Sequence, residues 1–204
     1  MSMLSRENFW YYLHRNDDPL VITPILEAEQ INAASVDLRI GHQFIVLQRS
    51  EVTHIDASDD QILQNSLFRT QRKVRIQTKQ KFVLHPRQLV LGATFEYVSI
   101  PSELAATVVG RSSWGRLGLM ISAASSISPG FKGCITLELF NAGEAPVIVR
   151  PGMRIAQLVC FETSKEKETS KEKKSPERDE NKYDCPTGPE ASKIYEDRDM
   201  SFWS

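Results

Sequence analysis

From Val36 to Val109 the chain is a succession of short β-prone runs, each broken by turn residues within a few positions. Val36, Leu38 and Ile40 alternate with Asp37 and Arg39, and Phe44–Leu47, Lys73–Ile76, Phe82–Leu84, Leu89–Leu91, Phe95–Ile100 and Thr107–Val109 follow. Gly41, His85-Pro86, Pro101, Gly110, Pro129-Gly130, Asn141-Ala142-Gly143 and Pro151-Gly152 punctuate this part of the chain and its continuation. Strands this short and this numerous bury their apolar faces most simply as an antiparallel sandwich or barrel. Helices are expected to be few. One covers Ser5–Arg15, where Ser5 can cap and Phe9, Tyr12 and Leu13 share a face, and Asn16-Asp17-Asp18-Pro19 ends it. A second is expected over Ser58–Ser66 and a helical turn around Trp114–Leu117.

A chain of 204 residues is long enough for one domain with a real core. The net charge of −1 lacks the basic excess of a nucleic-acid binder, so no nucleic-acid partner is expected. Cys134, Cys160 and Cys185 are far apart and odd in number, which suggests neither a disulfide framework nor a zinc ribbon. The N-terminal MSMLSRENFW has no apolar signal-peptide core, and no apolar run is long enough to cross a bilayer. A cytoplasmic location with no membrane partner is the expectation.

Composition changes abruptly near Glu162. Thr163–Lys182 is almost entirely Lys, Glu, Ser, Thr, Arg and Asp, and TSKEKE at Thr163–Glu168 is nearly repeated as TSKEKK at Thr169–Lys174. Such a segment cannot bury apolar area and reads as a flexible linker. Aromatic and turn residues return beyond it. The expected organisation is a β domain over 1–162, a charged linker over 163–181 and a C-terminal lid or tail over 182–204.

The chemistry concentrates in VGRSSWGRLGLMISAASSISPGFKGCITLELFN, from Val109 to Asn141. Gly110-Arg111-Ser112-Ser113 can form an anion-binding turn, with Arg111 adding a charge-assisted contact; a plain serine cap with a surface arginine is the alternative. Arg116 either snorkels beside Leu117–Met120 or partners a carboxylate. Strand alternation places Ile135, Leu137 and Leu139 on one face and Cys134, Thr136, Glu138 and Phe140 on the other. A glutamate among such neighbours is expected on a water-poor face, where desolvation suits a general acid/base; an exposed edge glutamate is the alternative. Phe131 either plugs the core or stacks on a sugar or base. The histidines lie in HRN, HQF, HID and HPR, and no P-C-x-x-C occurs, so the zinc-deaminase signature is missing and no protein-bound metal is expected.

GRSSWGRLGL (Gly110–Leu119), AASSISPGFKGCITLELFN (Ala123–Asn141) and RPGMRIAQLVCFE (Arg150–Glu162) resemble, in order, the dCTP deaminase branch of the dUTPase-like superfamily. INAASVDLRIG (Ile31–Gly41), Leu84–Pro86 and NKYDCPTGPEASKIYED (Asn181–Asp197) fit the same family. The resemblance implies a homotrimer of distorted β-barrels of dUTPase-like type, with active sites between subunits. It implies hydrolytic deamination of dCTP to dUTP and ammonia without zinc, with Mg2+ entering on the triphosphate. By motif position, Glu138 falls on the general acid/base, and Ser112 and Arg116 on residues that position the water and stabilise charge. The Ala124 carbonyl falls on the acceptor for the amino group, and Thr136 on the reader of the base edge. Arg111, Ser112, Ser113 and Lys182 fall on phosphate contacts, and Tyr183 completes the lid's Lys-Tyr pair.

The chain departs from the pattern at four places. Ser128 stands where the family usually has an aspartate that binds the sugar; serine can still hydrogen-bond, but it is a poor general base. Ser125 and Ser126 replace a His-Arg pair, Pro186 replaces a lid glutamine, and Ser175 aligns near a usual tyrosine. The reading is therefore a dCTP deaminase. The alternatives are a dUTP diphosphatase or bifunctional deaminase/diphosphatase, and a catalytically silent nucleotide-binding regulatory module.

Overall fold

Several of the short runs join into longer strands in the computed structural model, which describes residues 2–48, 50–56, 60–123, 126–163 and 185–194. The runs on either side of Gly41 form one strand, β2 (Val36–Leu47), and those around Phe95 form β5 (Leu89–Ser99). Gly41 is therefore no strand end. A β-carbon on it would lie 3.0 Å from the Ala93 carbonyl oxygen and 3.2 Å from that of Thr94, so the missing side chain lets the two backbones approach. The β2–β5 register shifts at this point, between Ile40 and Phe44.

The first helix is α1 (Arg6–His14), with the Asn8 amide donating to the Ser5 side chain and with Phe9 and Tyr12 buried. The second, α2 (Asp60–Thr70), runs beyond the expected end at Ser66. β1 (Val21–Thr23) pairs with β5; β3 (Gln71–Arg75) pairs with β2. β6 (Leu104–Gly110) leads into the helical turn α3 (Ser112–Gly115), which starts two residues earlier than expected. β7 (Leu119–Ser122), β9 (Val147–Val149) and β10 (Arg154–Glu162) add to the runs named from the sequence, and β8 spans Lys132–Asn141.

Eight strands form one sheet in which the main order is β6-β10-β2-β5-β8-β7, with β1 and β3 alongside. β4 (Phe82–Leu84) pairs separately with β9. The strands of the described residues pair antiparallel. The ends of the main order curl back towards each other: a β-carbon on Gly110 of β6 would stand 3.1 Å from the Ile121 Cβ of β7. The result is the distorted, nearly closed barrel that the strand pattern predicts.

The core gathers Phe9, Val36, Leu38, Ile40, Phe44, Ile135, Leu137, Leu139 and Leu158. Asp37 and Arg39, which alternate with apolar residues, are also buried, at 2% and 5% exposed. Each is paired. Arg39 Nη1 lies 2.9 Å from Oε1 of the fully buried Glu96, and its main-chain amide donates to Glu96 Oε2 at 2.8 Å. Gln30 Nε2 adds a bond to Glu96 at 3.2 Å. Buried charges persist where such partners replace water.

Of the expected organisation, residues 164–184 and 195–204 lie outside the described residues, which takes in most of the linker and part of the tail. No helix among the described residues is long and apolar enough to cross a membrane.

Candidate active site

β8 carries the site. Its alternation is as predicted: Ile135, Leu137 and Leu139 are buried, and Cys134, Thr136, Glu138 and Phe140 share the opposite face. That opposite face is open, which corrects the expectation of a water-poor setting for Glu138. Glu138 is exposed and Phe140 is 36% exposed. Glu138 is flanked by its register partners Leu91 on β5 and Ser122 on β7. Next along the strand, Phe140 lies between Leu89 and Met120, both exposed, so an apolar row borders the carboxylate.

A cavity of about 430 Å³ opens over this face. Thr136 and Glu138 line one side, Ser126, Ser128 and Phe131 a second, and Pro186, Glu190 and Ser192 a third. Phe131 packs against the core, as one of the two readings has it, and it also borders the cavity. Two bonds tie the 185–194 segment to β8. The Cys134 amide donates to the Pro186 carbonyl at 2.6 Å, and the Glu190 amide donates to Thr136 Oγ1 at 3.1 Å. Pro186 presses on Gly133, whose φ of +145° belongs to glycine. Burial raises the Cys134 thiol pKa, and the nearby Glu96 charge raises it further.

The arginine-serine turn is elsewhere. None of Arg111, Ser112, Ser113 and Arg116 lines the cavity. Arg111 takes the N-cap position of α3 without a side-chain cap bond. Its Nε lies 3.8 Å from Asp37 Oδ1, and the Trp114 indole donates to the Arg154 carbonyl at 2.9 Å. Ser112, Ser113 and Arg116 are exposed, and their side chains have no hydrogen-bond or ion-pair partner among the described residues. Arg116 thus partners no carboxylate of its own chain among them. The structure brings Thr136, Glu138, Ser128 and Phe131 together around the cavity, and the turn residues stay outside its lining. Ala124, Ser125, Ser175, Lys182 and Tyr183 lie outside the described residues.

A family model described as dCTP deaminase-like matches residues 3–163. The chain belongs to the dCTP deaminase-like family. It is 42% identical to a dCTP deaminase of Halorubrum lacusprofundi over 180 residues, 87% of this chain and 85% of that one. It is 39% identical to a protein of Methanosphaera stadtmanae named dCTP deaminase, dUMP-forming, over 98% of each chain. Among solved structures, the 2′-deoxycytidine 5′-triphosphate deaminase of Agrobacterium tumefaciens superposes with a TM-score of 0.59 at 23% identity. That match covers 79% of this chain and 48% of the Agrobacterium chain, so this chain spans about half its length, and the likeness speaks for the fold.

Within this family frame, three residues went unread in the sequence. Asp37 lay in an alternating strand and within Ile31–Gly41, but was given no role of its own. Arg154 follows a Pro-Gly turn within Arg150–Glu162 and was likewise given no role of its own. Glu190 sits where the chain turns back over β8, a contact that no local pattern encodes.

Proposed function

We propose that this protein hydrolyses the exocyclic amino group of dCTP, giving dUTP and ammonia, and that it acts as a trimer in the cytoplasm. The observation that carries the reading is Glu138: a lone strand carboxylate facing a cavity between β8, the 126–131 turn and the 185–194 segment. The cavity has an apolar wall (Leu91, Ile127, Phe131) for a planar ring and hydroxyls (Ser126, Ser128, Thr136) for polar edges.

In this mechanism Glu138 takes a proton from a water that attacks C4 of cytosine. It gives that proton to ring N3, takes the second one from the new C4 hydroxyl and passes it to the amino nitrogen; the C4–N bond breaks as the C4 carbonyl forms, and ammonia leaves. The Ala124 carbonyl accepts from the amino group, and Thr136 reads the base edge. Ser128 bonds the sugar. Ser112 and Arg116 orient the water and stabilise charge as it develops. Arg111, Ser112, Ser113 and Lys182 hold phosphate, with Tyr183 beside the lysine. Because the turn residues of one chain do not line its own cavity, a neighbouring copy supplies them. The exposed row Leu89, Phe140 and Met120 beside Glu138 is a surface that such a copy would cover, excluding water from the carboxylate. Mg2+ belongs to the substrate, with triphosphate oxygens as its hard ligands. Every proton step falls to Glu138, and no zinc is called on.

The test incubates purified protein with dCTP, CTP, dCMP and dUTP plus Mg2+ and separates the products. Ammonia and dUTP from dCTP are expected. Failure to release ammonia or a uracil nucleotide from any cytosine substrate would overturn the reading. A second reading, the bifunctional enzyme, is favoured by the Methanosphaera relative, whose name is dUMP-forming and whose match spans nearly both chains. The same assay separates the two, because that reading yields dUMP and pyrophosphate.

A further inference from the structure

We propose that Arg154 is a second phosphate-binding arginine of this enzyme, held beside Arg111 by the buried carboxylate of Asp37. The inference rests on the reading of Arg111, Ser112 and Ser113 as phosphate contacts, and it assigns a role to two residues outside that set.

Asp37 is 2% exposed. Its Oδ1 lies 3.8 Å from Arg111 Nε, and its Oδ2 lies 3.5 Å from Arg154 Nη1. Asn32 Nδ2 and Gln157 Nε2 each donate to Oδ1 at 3.0 Å, so the carboxylate is fixed in place. One guanidinium would neutralise it. Two are present, and the group Asp37, Arg111 and Arg154 keeps a net positive charge. The arginine side chains are 33% and 37% exposed, so each reaches solvent while touching the buried anion.

The main chain ties Arg154 to the anion turn. Its carbonyl accepts the Trp114 indole N–H at 2.9 Å and Arg111 Nη1 at 3.4 Å. The next carbonyl, that of Ile155, accepts the Arg111 amide at 3.0 Å. Two forked donors therefore flank a turn whose serine hydroxyls, Ser112 and Ser113, are exposed. A triphosphate carries several negative charges, and planar guanidinium forks bind phosphate oxygens in pairs. Asp37 is the positioning residue. Its charge allows two cations to sit side by side before the anion arrives.

The test uses the full chain and inorganic tripolyphosphate as the probe. For Arg154→Gln, the KM for dCTP and the inhibition constant of tripolyphosphate are both expected to rise by about tenfold, the loss of one charge-assisted contact. Arg154→Lys should recover part of each, and binding of deoxycytidine, which has no phosphate, should not shift. A wild-type protein that neither binds nor deaminates dCTP would sink the underlying reading. If wild type works and Arg154→Gln changes both constants by less than about twofold, Arg154 is only a structural partner of Asp37 and the inference falls. A wild-type measurement covers poor folding of the variant: tripolyphosphate should shield Arg154 from phenylglyoxal, read by mass spectrometry. Equal modification with and without the probe would overturn the proposal.

Discussion

The Thr136 hydroxyl accepts the Glu190 amide at 3.1 Å, and two residues back along β8 the Cys134 amide donates to the Pro186 carbonyl at 2.6 Å. β7 pairs with β8 only from Glu138 to Asn141, so the 185–194 segment bonds to the stretch that β7 leaves uncovered. It thereby builds the third wall of the cavity. Thr136→Val keeps the β-branched shape and removes the acceptor. The expected result is a rise in the KM for dCTP of about three- to tenfold, the worth of one neutral hydrogen bond, with little change in the melting temperature. Thr136→Ser should restore wild-type behaviour. An unaltered KM in Thr136→Val would show that the bond does not hold the segment during turnover.

Glu138 invites a sharper substitution. Its side chain is exposed on the open face of β8 in the single chain, so Glu138→Gln introduces no defect into the core of the barrel. If Glu138 moves the protons, kcat should fall by roughly a hundredfold or more, the usual worth of a general acid/base. Calorimetry should still show dCTP binding to the variant. A variant that turns over at the wild-type rate would remove Glu138 from the reaction.

Asn141 ends the same strand and is fully buried. Its Nδ2 donates to the Leu84 and Ala145 carbonyls at 2.9 Å each, and its Oδ1 accepts the Gly143 amide at 2.9 Å. One amide side chain thus ties β8 to β4 and to the turn after it. Asn141→Ala would leave these backbone groups without their partner in a buried setting. A loss of about 2–4 kcal/mol is expected, read from the urea midpoint. A loss well below that range would mean that water enters and replaces the amide.

Much of the barrel was legible because strand periodicity is local. The alternation in β8 placed Ile135, Leu137 and Leu139 inside and Glu138 outside with no knowledge of partners. What periodicity misjudged was the setting of the outward face. Cys134 and Phe140 look apolar in one dimension, yet Phe140 is 36% exposed in the single chain. The burial of Asp37 and Arg39 was equally hidden. Their partners Arg154 and Glu96 lie more than fifty residues away, and only the β2–β10 and β2–β5 pairings bring them near. That Arg111, Ser112, Ser113 and Arg116 do not line the cavity beside Glu138 was hidden too, because a motif order along the chain carries no distance.

A last prediction concerns pH and Asp18, which sits after α1 with φ of +44°. Asp18 Oδ2 accepts the Ser102 amide at 2.7 Å and the Ser102 hydroxyl at 2.7 Å, and Arg15 Nη2 lies 3.9 Å away. The Ser102 amide bond is the largest cause holding its pKa below the usual aspartate value; burial opposes it, and the hydroxyl and Arg15 add to the lowering. A carboxyl whose folded pKa is depressed contributes stability above its unfolded pKa and loses it as pH falls through the folded value. Asp18→Asn is the matched control, since asparagine tolerates the left-handed backbone and keeps an acceptor oxygen. Wild type should melt above Asp18→Asn at pH 7, and the gap should close as pH drops below about 4, the ordinary aspartate range. Melting curves from pH 3 to 7 decide it. A gap that stays constant across that range would show that the Asp18 charge contributes nothing, and that only its shape matters.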